Sequence, residues 1–140
     1  MPTVAYAGQA IWERQNMRII GCTIAAVALA LVWGNAAQAQ DAAAGEKTFK
    51  RFCAVCHTVE PDKNRVGPTL HGVYGRTAGS VENFRYSDAM KETGWTWDQE
   101  HLDTYLANPK QAIPGNKMIF AGVKKDEDRA NLIAYLETVK

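Results

Sequence analysis

The chain has 140 residues, a length that suits one globular domain. Its formal net charge is +1, and its charged residues, 22% of the total, form no low-complexity tract. This composition is ordinary for a folded domain. Because nucleic-acid binding calls for a basic stripe with stacking aromatics on one face, which this sequence lacks, we expect no nucleic-acid partner.

The start of the chain predicts a secretory leader, residues 1–39. Two arginines precede an uncharged run over 19–33, and the small residues Ala37-Gln38-Ala39 follow. A basic region, an apolar core and a small-residue cleavage site occur in this order in signal peptides. We therefore predict cleavage after Ala39, export to the periplasm, and a mature domain over 40–140.

The leader also carries alternatives. An uncleaved leader would tether the protein to the membrane, although its apolar run is shorter than the roughly 20 residues of a spanning helix. Met17 is an alternative start of the protein. Cys22 follows Arg18 too closely to be a lipoprotein acceptor, so we expect it to be removed with the leader. Cys53 and Cys56 then remain as an even pair in an oxidising compartment.

A first helix is predicted after Asp41, which can cap its N-terminus. Its apolar residues share one face at helical spacing. They are Phe49, Phe52, Cys53 and Cys56. Residues 61–79 are rich in glycine and proline and predict a loop. Residues 87–93 predict a short helix that stops at Gly94.

Two further helices are predicted towards the C-terminus. Thr96 and Gln99 form a capping box before a helix that ends at Asn108-Pro109, and the acidic residues 126–128 favour the start of another. The apolar positions are Leu102, Tyr105 and Leu106 in the first, and Leu132, Ile133, Tyr135, Leu136 and Val139 in the second. No strand pattern of period two occurs, so the fold class is all-α. Its core is thin enough to need a staple such as a large cofactor.

The motif Cys53-Ala54-Val55-Cys56-His57 is the strongest chemical signal in the sequence. C-x-x-C-H is the attachment site of c-type haem. At a helix end, residues three apart lie on the same side, so both thiols can reach the vinyl groups of one porphyrin. The motif therefore predicts one covalently bound haem c, with His57 as the proximal ligand of its iron.

Other uses of a C-x-x-C motif fit less well. A thioredoxin-like dithiol site needs a strand before the motif in a βαβ context, whereas a helix is predicted here. A structural zinc site needs four ligands, and the chain offers only His71 and His101 beyond the motif, with no second cysteine pair. A plain disulfide would leave His57 unexplained.

The distal iron ligand is predicted to be Met118. The other candidates are the thioether of Met90 and the imidazoles of His71 and His101. Met118 lies in a turn-rich strap over 113–122, which can lay a thioether against a planar cofactor without a helix in the way. A lone methionine is most often core filler, and Met90, in a short helix beside charged residues, ranks below Met118.

With the haem motif and the Met118 strap in view, the sequence resembles the class I cytochrome c family, closest to the mitochondrial type and its bacterial periplasmic relatives. The resemblance runs from about Gly45 to Lys140. The shared segments are 67–72, 75–76, 84–86, 95–97, 105–110 and 113–115. It implies the small cytochrome c fold, in which short helices and long loops wrap around one haem and the terminal helices cross.

The resemblance implies roles for individual residues. At the helix crossing, Gly45 and Phe49 would meet Leu132 and Tyr135. Near the proximal ligand, the carbonyl of Pro68 would accept the imidazole N–H, which orients the ring and sets its tautomer.

The resemblance implies that Arg76, Tyr86 and Trp97 bond to the haem propionates. It places Tyr105 near the sulfur of Met118. Without a haem, these residues would be a surface arginine and core aromatics.

Three residues depart from the family pattern. Met90 stands where asparagine is common in a network under the haem, and Asn116 replaces a threonine or serine of the same network. Phe52 stands where many mitochondrial members have a basic docking residue, while Phe120 matches the exposed haem edge. These departures put the distal network and the partner footprint in question, not the cofactor.

Ligation by His57 and Met118 would leave the iron no open site for a substrate, and methionine ligation raises the potential. We therefore predict a soluble, monomeric one-electron carrier of a respiratory or photosynthetic chain, not an enzyme. The alternative is a haem enzyme or sensor in which Met118 leaves to admit peroxide or a diatomic gas.

Partners are predicted from the distribution of charge. Removal of the leader leaves acidic and basic residues in balance, but four lysines lie on segments that the resemblance places around the haem edge. They are Lys110, Lys117, Lys124 and Lys125. We predict a basic ring that docks on acidic faces of redox proteins, such as a quinol–cytochrome c reductase and a terminal oxidase or photosynthetic reaction centre. The alternative is that these lysines are ordinary solvated residues.

Overall fold

The structure, a computed structural model, describes residues 40–140. Five helices lie in this part of the chain: α1 (Ala42–Phe52), α2 (Asp88–Glu92), α3 (Gln99–Ala107), α4 (Pro109–Ala112) and α5 (Asp126–Thr138). A single bridge pairs Thr77 with Thr96, and residues 40–140 contain no other strand pairing. The all-α prediction is confirmed. The leader over 1–39 and its cleavage site lie outside the described residues.

Helix α1 begins where its sequence predicts. The side chain of Asp41 accepts hydrogen bonds from the backbone N–H groups of Ala43 and Ala44, at 2.8 and 3.1 Å. These bonds satisfy two of the donors that the first turn of a helix leaves unpaired.

The C-x-x-C-H motif lies in the turn after α1. Cys56 is therefore not on the helical face that the sequence predicted for it. The helix ends at Phe52, with Cys53 as its C-cap. The backbone N–H groups of Cys56 and His57 both donate to the carbonyl of Cys53, at 3.0 and 2.8 Å. This tight turn keeps the two thiols and the imidazole on adjacent positions of one short segment.

Helices α1 and α5 cross in close contact, as the resemblance implies. A Cβ at position 45 would collide with the backbone carbonyl of Asn131, so only Gly45 lets the helices come this close. Phe49 packs against Tyr135 with ring centroids 5.5 Å apart. Leu132, on the same helix, is fully buried.

Helix α3 is present as predicted, but it begins two residues later than a cap at Thr96 implies, and the predicted cap is wrong. Asp98 caps the helix, since its side chain accepts from the backbone N–H of His101 at 2.9 Å. Thr96 is held in the bridge to Thr77 instead. Aspartate is a better cap than threonine, and here it stands directly before the first helical residue.

Asn108-Pro109 ends α3, as predicted, and also begins α4, which the sequence pattern did not predict. Asn108 caps α4 by accepting from the backbone N–H of Gln111 at 3.4 Å. Pro109 is the first residue of α4, where its missing N–H removes no helical hydrogen bond.

Helices α2 and α5 are confirmed. Ser87 caps α2 by accepting from the backbone N–H of Met90 at 3.2 Å, and Gly94 follows the helix with a φ of 68°. Helix α5 carries three acidic residues in its first turn, which suits the dipole of a helix N-terminus. Its buried apolar residues are Leu132, Ile133 and Leu136.

Arg129 ties α5 to α3 and to the loop before α5. Its guanidinium donates to Asp103 at 2.6 Å, to Asp126 at 2.9 Å and to the carbonyl of Val123 at 3.1 Å. The residue is buried, with 8% of its surface exposed. Arg129 therefore holds the C-terminal end of the segment that contains Met118.

Candidate haem site

A cavity of about 410 Å³ lies among α1, α2, α3, α5 and the loops between them. All nine residues predicted to bind the cofactor line it: Cys53, Cys56, His57, Pro68, Arg76, Tyr86, Trp97, Tyr105 and Met118. The rest of its wall is mostly apolar. The other ligand candidates, His71 and His101, are not among the lining residues of this cavity.

On one wall, His57 is held by a hydrogen bond between its Nδ1 and the carbonyl of Pro68, 2.7 Å apart. Because a carbonyl only accepts, Nδ1 carries the proton, and a neutral ring then keeps a lone pair on Nε2. Burial lowers the pKa of His57, which favours that neutral form even though the bond to Pro68 acts in the opposite direction. A Cβ at Gly67 would collide with the imidazole, so Gly67 makes room for the ring.

The two thiols adjoin the same wall. Cys53 is buried, Cys56 is partly buried, and neither forms a disulfide. Burial, with a smaller contribution from Cys56, raises the pKa of Cys53 to about 11. The turn thus presents two thiols and one imidazole nitrogen to an apolar cavity, which is the donor set that haem c requires.

A cationic group also lines the cavity. The half-buried guanidinium of Arg76 donates to the carbonyls of His71 and Thr69, at 2.7 and 2.9 Å. Its partners in the described part of the chain are these carbonyls and not a carboxylate. Burial lowers the pKa of Arg76 and raises the pKa of Tyr86, which keeps the tyrosine hydroxyl protonated. A cation and a hydroxyl beside an apolar cavity suit the carboxylates of an otherwise apolar ligand.

Met118 lies in a segment without helix or strand, residues 113–123, called here the distal strap. Asn116 accepts from the backbone N–H of Met118 at 2.9 Å, and from the hydroxyl of Tyr105 at 3.3 Å. The resemblance implied a place for Tyr105 beside the sulfur of Met118. Both residues line the cavity, and the hydrogen bond of the Tyr105 hydroxyl goes to Asn116. Met90 is a second thioether in the cavity wall, with 7% of its surface exposed.

The mouth of the cavity has an apolar rim. Phe52, Val66 and Ile119 line the cavity and are 40%, 80% and 98% exposed. Phe120 is half-buried beside Phe52, with ring centroids 6.3 Å apart. Together these four residues form what we call the apolar rim.

The residues present fit a c-type haem. The wall offers covalent attachment through two thiols, a neutral imidazole that Gly67 accommodates, a thioether, a cation and an apolar lining. No group of the cavity has a chemistry at odds with that cofactor.

A sequence model of the Cytochrome c family matches residues 42–140. The chain belongs to the cytochrome c family. Cytochrome c2 of Blastochloris viridis is 53% identical over 102 residues, which are 72% of this chain and 80% of the relative. Cytochrome c2 of Rhodomicrobium vannielii is 51% identical over 117 residues, 82% of this chain and 93% of the relative.

Similarity extends to proteins named cytochrome c and to a solved structure. Cytochrome c of Gibberella zeae is 54% identical over 94 residues, 66% of this chain and 89% of the relative. The structure of cytochrome cH from Methylobacterium extorquens matches with a TM-score of 0.66 and 48% identity, covering 70% of this chain and 98% of that one.

Family membership settles the cofactor and the class of function. The cytochrome binds one haem c covalently, and it is an electron carrier, not an enzyme. When bound, the haem would supply reversible one-electron chemistry at its iron. The chain would surround it with a mostly apolar wall. Its partners are redox proteins of electron-transfer chains.

Two residues of the site were missed or undervalued at the level of sequence. Gly67 is recognisable only once His57 is folded against it, although its place before Pro68 hinted at a constrained loop. Asn116 was noted only as a departure from the family, whereas in the fold it links Met118 to Tyr105.

None of the helices among residues 40–140 is long and apolar enough to cross a membrane.

Proposed function

We propose that this cytochrome is exported to the periplasm, where it carries electrons from a quinol–cytochrome c reductase to a terminal oxidase or photosynthetic reaction centre. In this proposal His57 and Met118 are the axial ligands of its iron, and Cys53 and Cys56 attach the haem. The observation that carries the ligand assignment is the convergence of these four residues on one cavity, from which His71 and His101 are absent.

Charge at the surface supports docking through lysines. Lys110, Lys117, Lys124 and Lys125 are all exposed. Two of them donate to backbone carbonyls, Lys117 to Tyr86 at 3.2 Å and Lys124 to Ala107 at 2.9 Å. Because these bonds leave their charge uncompensated, the lysines can steer an acidic partner.

Two of the three acidic residues at the start of α5 are paired with arginines. Asp126 pairs with Arg129 at 2.9 Å, and Asp128 pairs with Arg51 at 3.2 Å. Lys117 also lines the cavity mouth, next to the apolar rim. A cationic margin around an apolar centre suits brief, salt-sensitive encounters with an acidic face.

The ligand assignment is tested on holoprotein produced in a host that attaches haem c. A pyridine haemochrome spectrum should show two thioether bonds, and the oxidised protein should show a sulfur-to-iron charge-transfer band. Met118→Ala should abolish that band and lower the midpoint potential by on the order of 0.1 V or more.

Met90→Leu is the matched control, since it removes the other thioether of the same cavity. It should keep the band. Loss of the band in Met90→Leu and its survival in Met118→Ala would reverse the assignment. Ready binding of cyanide by the wild-type protein would favour the alternative function as a haem enzyme or sensor.

The docking surface is tested by charge reversal. Lys117→Glu with Lys124→Glu should slow reduction by a purified quinol–cytochrome c reductase about tenfold or more at low ionic strength, and less in high salt. Lys91→Glu is the control, because Lys91 lies on α2 and is already paired with Asp88 at 3.9 Å. Equal slowing by both changes would argue against a defined lysine face.

Export and processing are tested separately. The protein recovered from a periplasmic fraction should begin at Gln40, as measured by its mass and its N-terminal sequence. Recovery of the uncleaved chain in the membrane fraction would support a tethered carrier instead.

A further inference from the structure

We propose that Asn116 is the residue that positions Met118, and that its side chain sets how readily that thioether leaves the iron. This inference rests on the proposed ligation by Met118. Asn116 stands two residues before Met118, in the part of the distal strap where the sequence departs from its family.

The side-chain amide of Asn116 uses its full hydrogen-bonding capacity. Its oxygen accepts from the Tyr105 hydroxyl at 3.3 Å and from the Met118 backbone N–H at 2.9 Å. Its nitrogen donates to the carbonyls of Pro109 at 2.7 Å and Ile113 at 2.8 Å. An asparagine amide has two donors and two acceptor lone pairs, so no capacity is left over.

These bonds connect residues of three consecutive segments. Tyr105 belongs to α3, Pro109 begins α4, and Ile113 begins the distal strap. The half-buried side chain of Asn116 therefore links the backbone of Met118 to both α3 and α4. A serine or threonine has one donor and cannot bond both carbonyls at once.

Packing alone does not hold the middle of the strap. Ile113 and Val123 near its ends are buried, with 4% and 2% exposure, whereas Ile119 beside Met118 is 98% exposed. Where side-chain packing is sparse, hydrogen bonds to the backbone determine the conformation of a loop. Asn116 is the side chain that makes such a bond to Met118.

Tyr105 contributes through Asn116. Its ring is buried against Trp97, with centroids 5.0 Å apart, so the hydroxyl has a fixed position. Burial also raises the pKa of Tyr105, which keeps the hydroxyl a donor. Loss of this hydroxyl removes one of the four bonds of Asn116 and leaves the other three.

The test measures displacement of Met118 by imidazole in the oxidised holoprotein, followed by the loss of the sulfur-to-iron charge-transfer band. Asn116→Ala should bind imidazole about tenfold more tightly or better, since several hydrogen bonds that favour the ligated strap are lost. Tyr105→Phe should shift the affinity in the same direction by a smaller factor. Hydrogen exchange at the Met118 amide should quicken in Asn116→Ala.

Asn131→Ala is the matched control. It removes an asparagine that accepts from the backbone N–H of Asp41 at 2.8 Å, at the helix crossing. Its imidazole affinity should equal that of the wild type even if its denaturation midpoint falls.

The outcomes distinguish the positioning role of Asn116 from the ligation by Met118 on which it rests. A wild-type protein without the charge-transfer band would overturn the ligation by Met118. A wild-type band, with unchanged imidazole affinity in Asn116→Ala, would overturn the positioning role alone. Should Asn116→Ala not fold, Tyr105→Phe decides, and an unchanged affinity there counts against the proposal.

Discussion

The helix crossing and the distal strap are held together in different ways. At the crossing, Gly45 brings α1 against α5, and Leu132 and Ile133 are fully buried. In the strap, only the ends are buried, and the middle stands at the mouth of the cavity. At the crossing, helix packs against helix. The distal strap, in contrast, is buried only at its two ends.

This difference separates stability from function. Most of the crossing is buried between α1 and α5, although Leu132 and Leu136 also line the cavity. The middle of the strap places Met118 in the cavity wall and Ile119 at the surface, so the same few residues adjoin both cofactor and solvent. A segment held by hydrogen bonds at defined points can present a ligand without being filled in by a core.

The largest effect is expected from loss of haem attachment, which should break both regions. Leu132 and Leu136 of the crossing also line the cavity, so the crossing packs partly against the cofactor. Cys53→Ser with Cys56→Ser should give a protein without covalent haem and with most of its far-UV helical signal lost at 25 °C. Haem staining of a denaturing gel and circular dichroism measure the two effects.

Thr138→Ala, a change at the exposed end of α5, is the control for this variant and should keep both signals. A colourless double variant with an intact helical spectrum would show that the polypeptide core suffices alone.

The next effect should be confined to the crossing. Gly45→Val places a side chain where even a Cβ collides with the backbone of Asn131. Overpacking of a backbone contact should lower the free energy of unfolding by about 3 kcal/mol or more. Ala43→Val, on the exposed side of the same helix, should cost no more than about 0.7 kcal/mol. Denaturant unfolding of the two holoproteins compares them, and equal costs would mean that the close approach is unimportant.

A smaller effect is expected where the two regions meet, at Arg129. Asp103 and Asp126 are 44% and 93% exposed, so their ion pairs add little. The buried hydrogen bond from Arg129 to the carbonyl of Val123 contributes more to stability. Arg129→Ala should cost about 2 kcal/mol in the free energy of unfolding.

Arg51→Ala serves as the control for Arg129, because its pair with Asp128 is exposed. It should cost less than about 1 kcal/mol. The charge-transfer band should survive in both variants if Asn116, and not the strap's end, positions Met118.

The smallest effect concerns pH and the helix that carries Tyr105. The bond from the backbone N–H of His101 lowers the pKa of Asp98 below its usual range. Its contribution to stability is therefore complete above its unfolded-state pKa and is lost as the pH falls through its folded-state pKa. Asp98→Asn keeps a capping oxygen without the charge. The acid decline of its melting temperature should be slightly shallower than that of the wild type, and an identical decline would exclude a role for Asp98.

Local signals in the sequence predicted local structure well. Asp41 capped the helix that it was expected to cap, and Gly94 and Asn108-Pro109 ended helices where predicted. The error over Thr96 arose because a residue with good capping chemistry was drawn into a bridge with Thr77, which lies far from it in the chain. Such pairings depend on contacts that no short window of sequence contains.

Cofactor chemistry was likewise readable from sequence. Three residues at fixed spacing, Cys53, Cys56 and His57, identify haem c, because attachment and ligation are both local to one turn. A thioether in a turn-rich segment marked Met118 as the candidate for the other side. The fold brings these residues to one cavity together with Arg76 and Trp97.

Only the tertiary structure decided how that candidate site is braced. It placed Gly67 against His57, linked Asn116 to Tyr105 and Met118, and buried Arg129 between two helices and a loop. The sequence by itself determined most of the helix ends and the attachment motif, because hydrogen bonds and spacings within a few residues specify them. The bracing joins residues far apart along the chain, and their meeting depends on the packing of the whole domain.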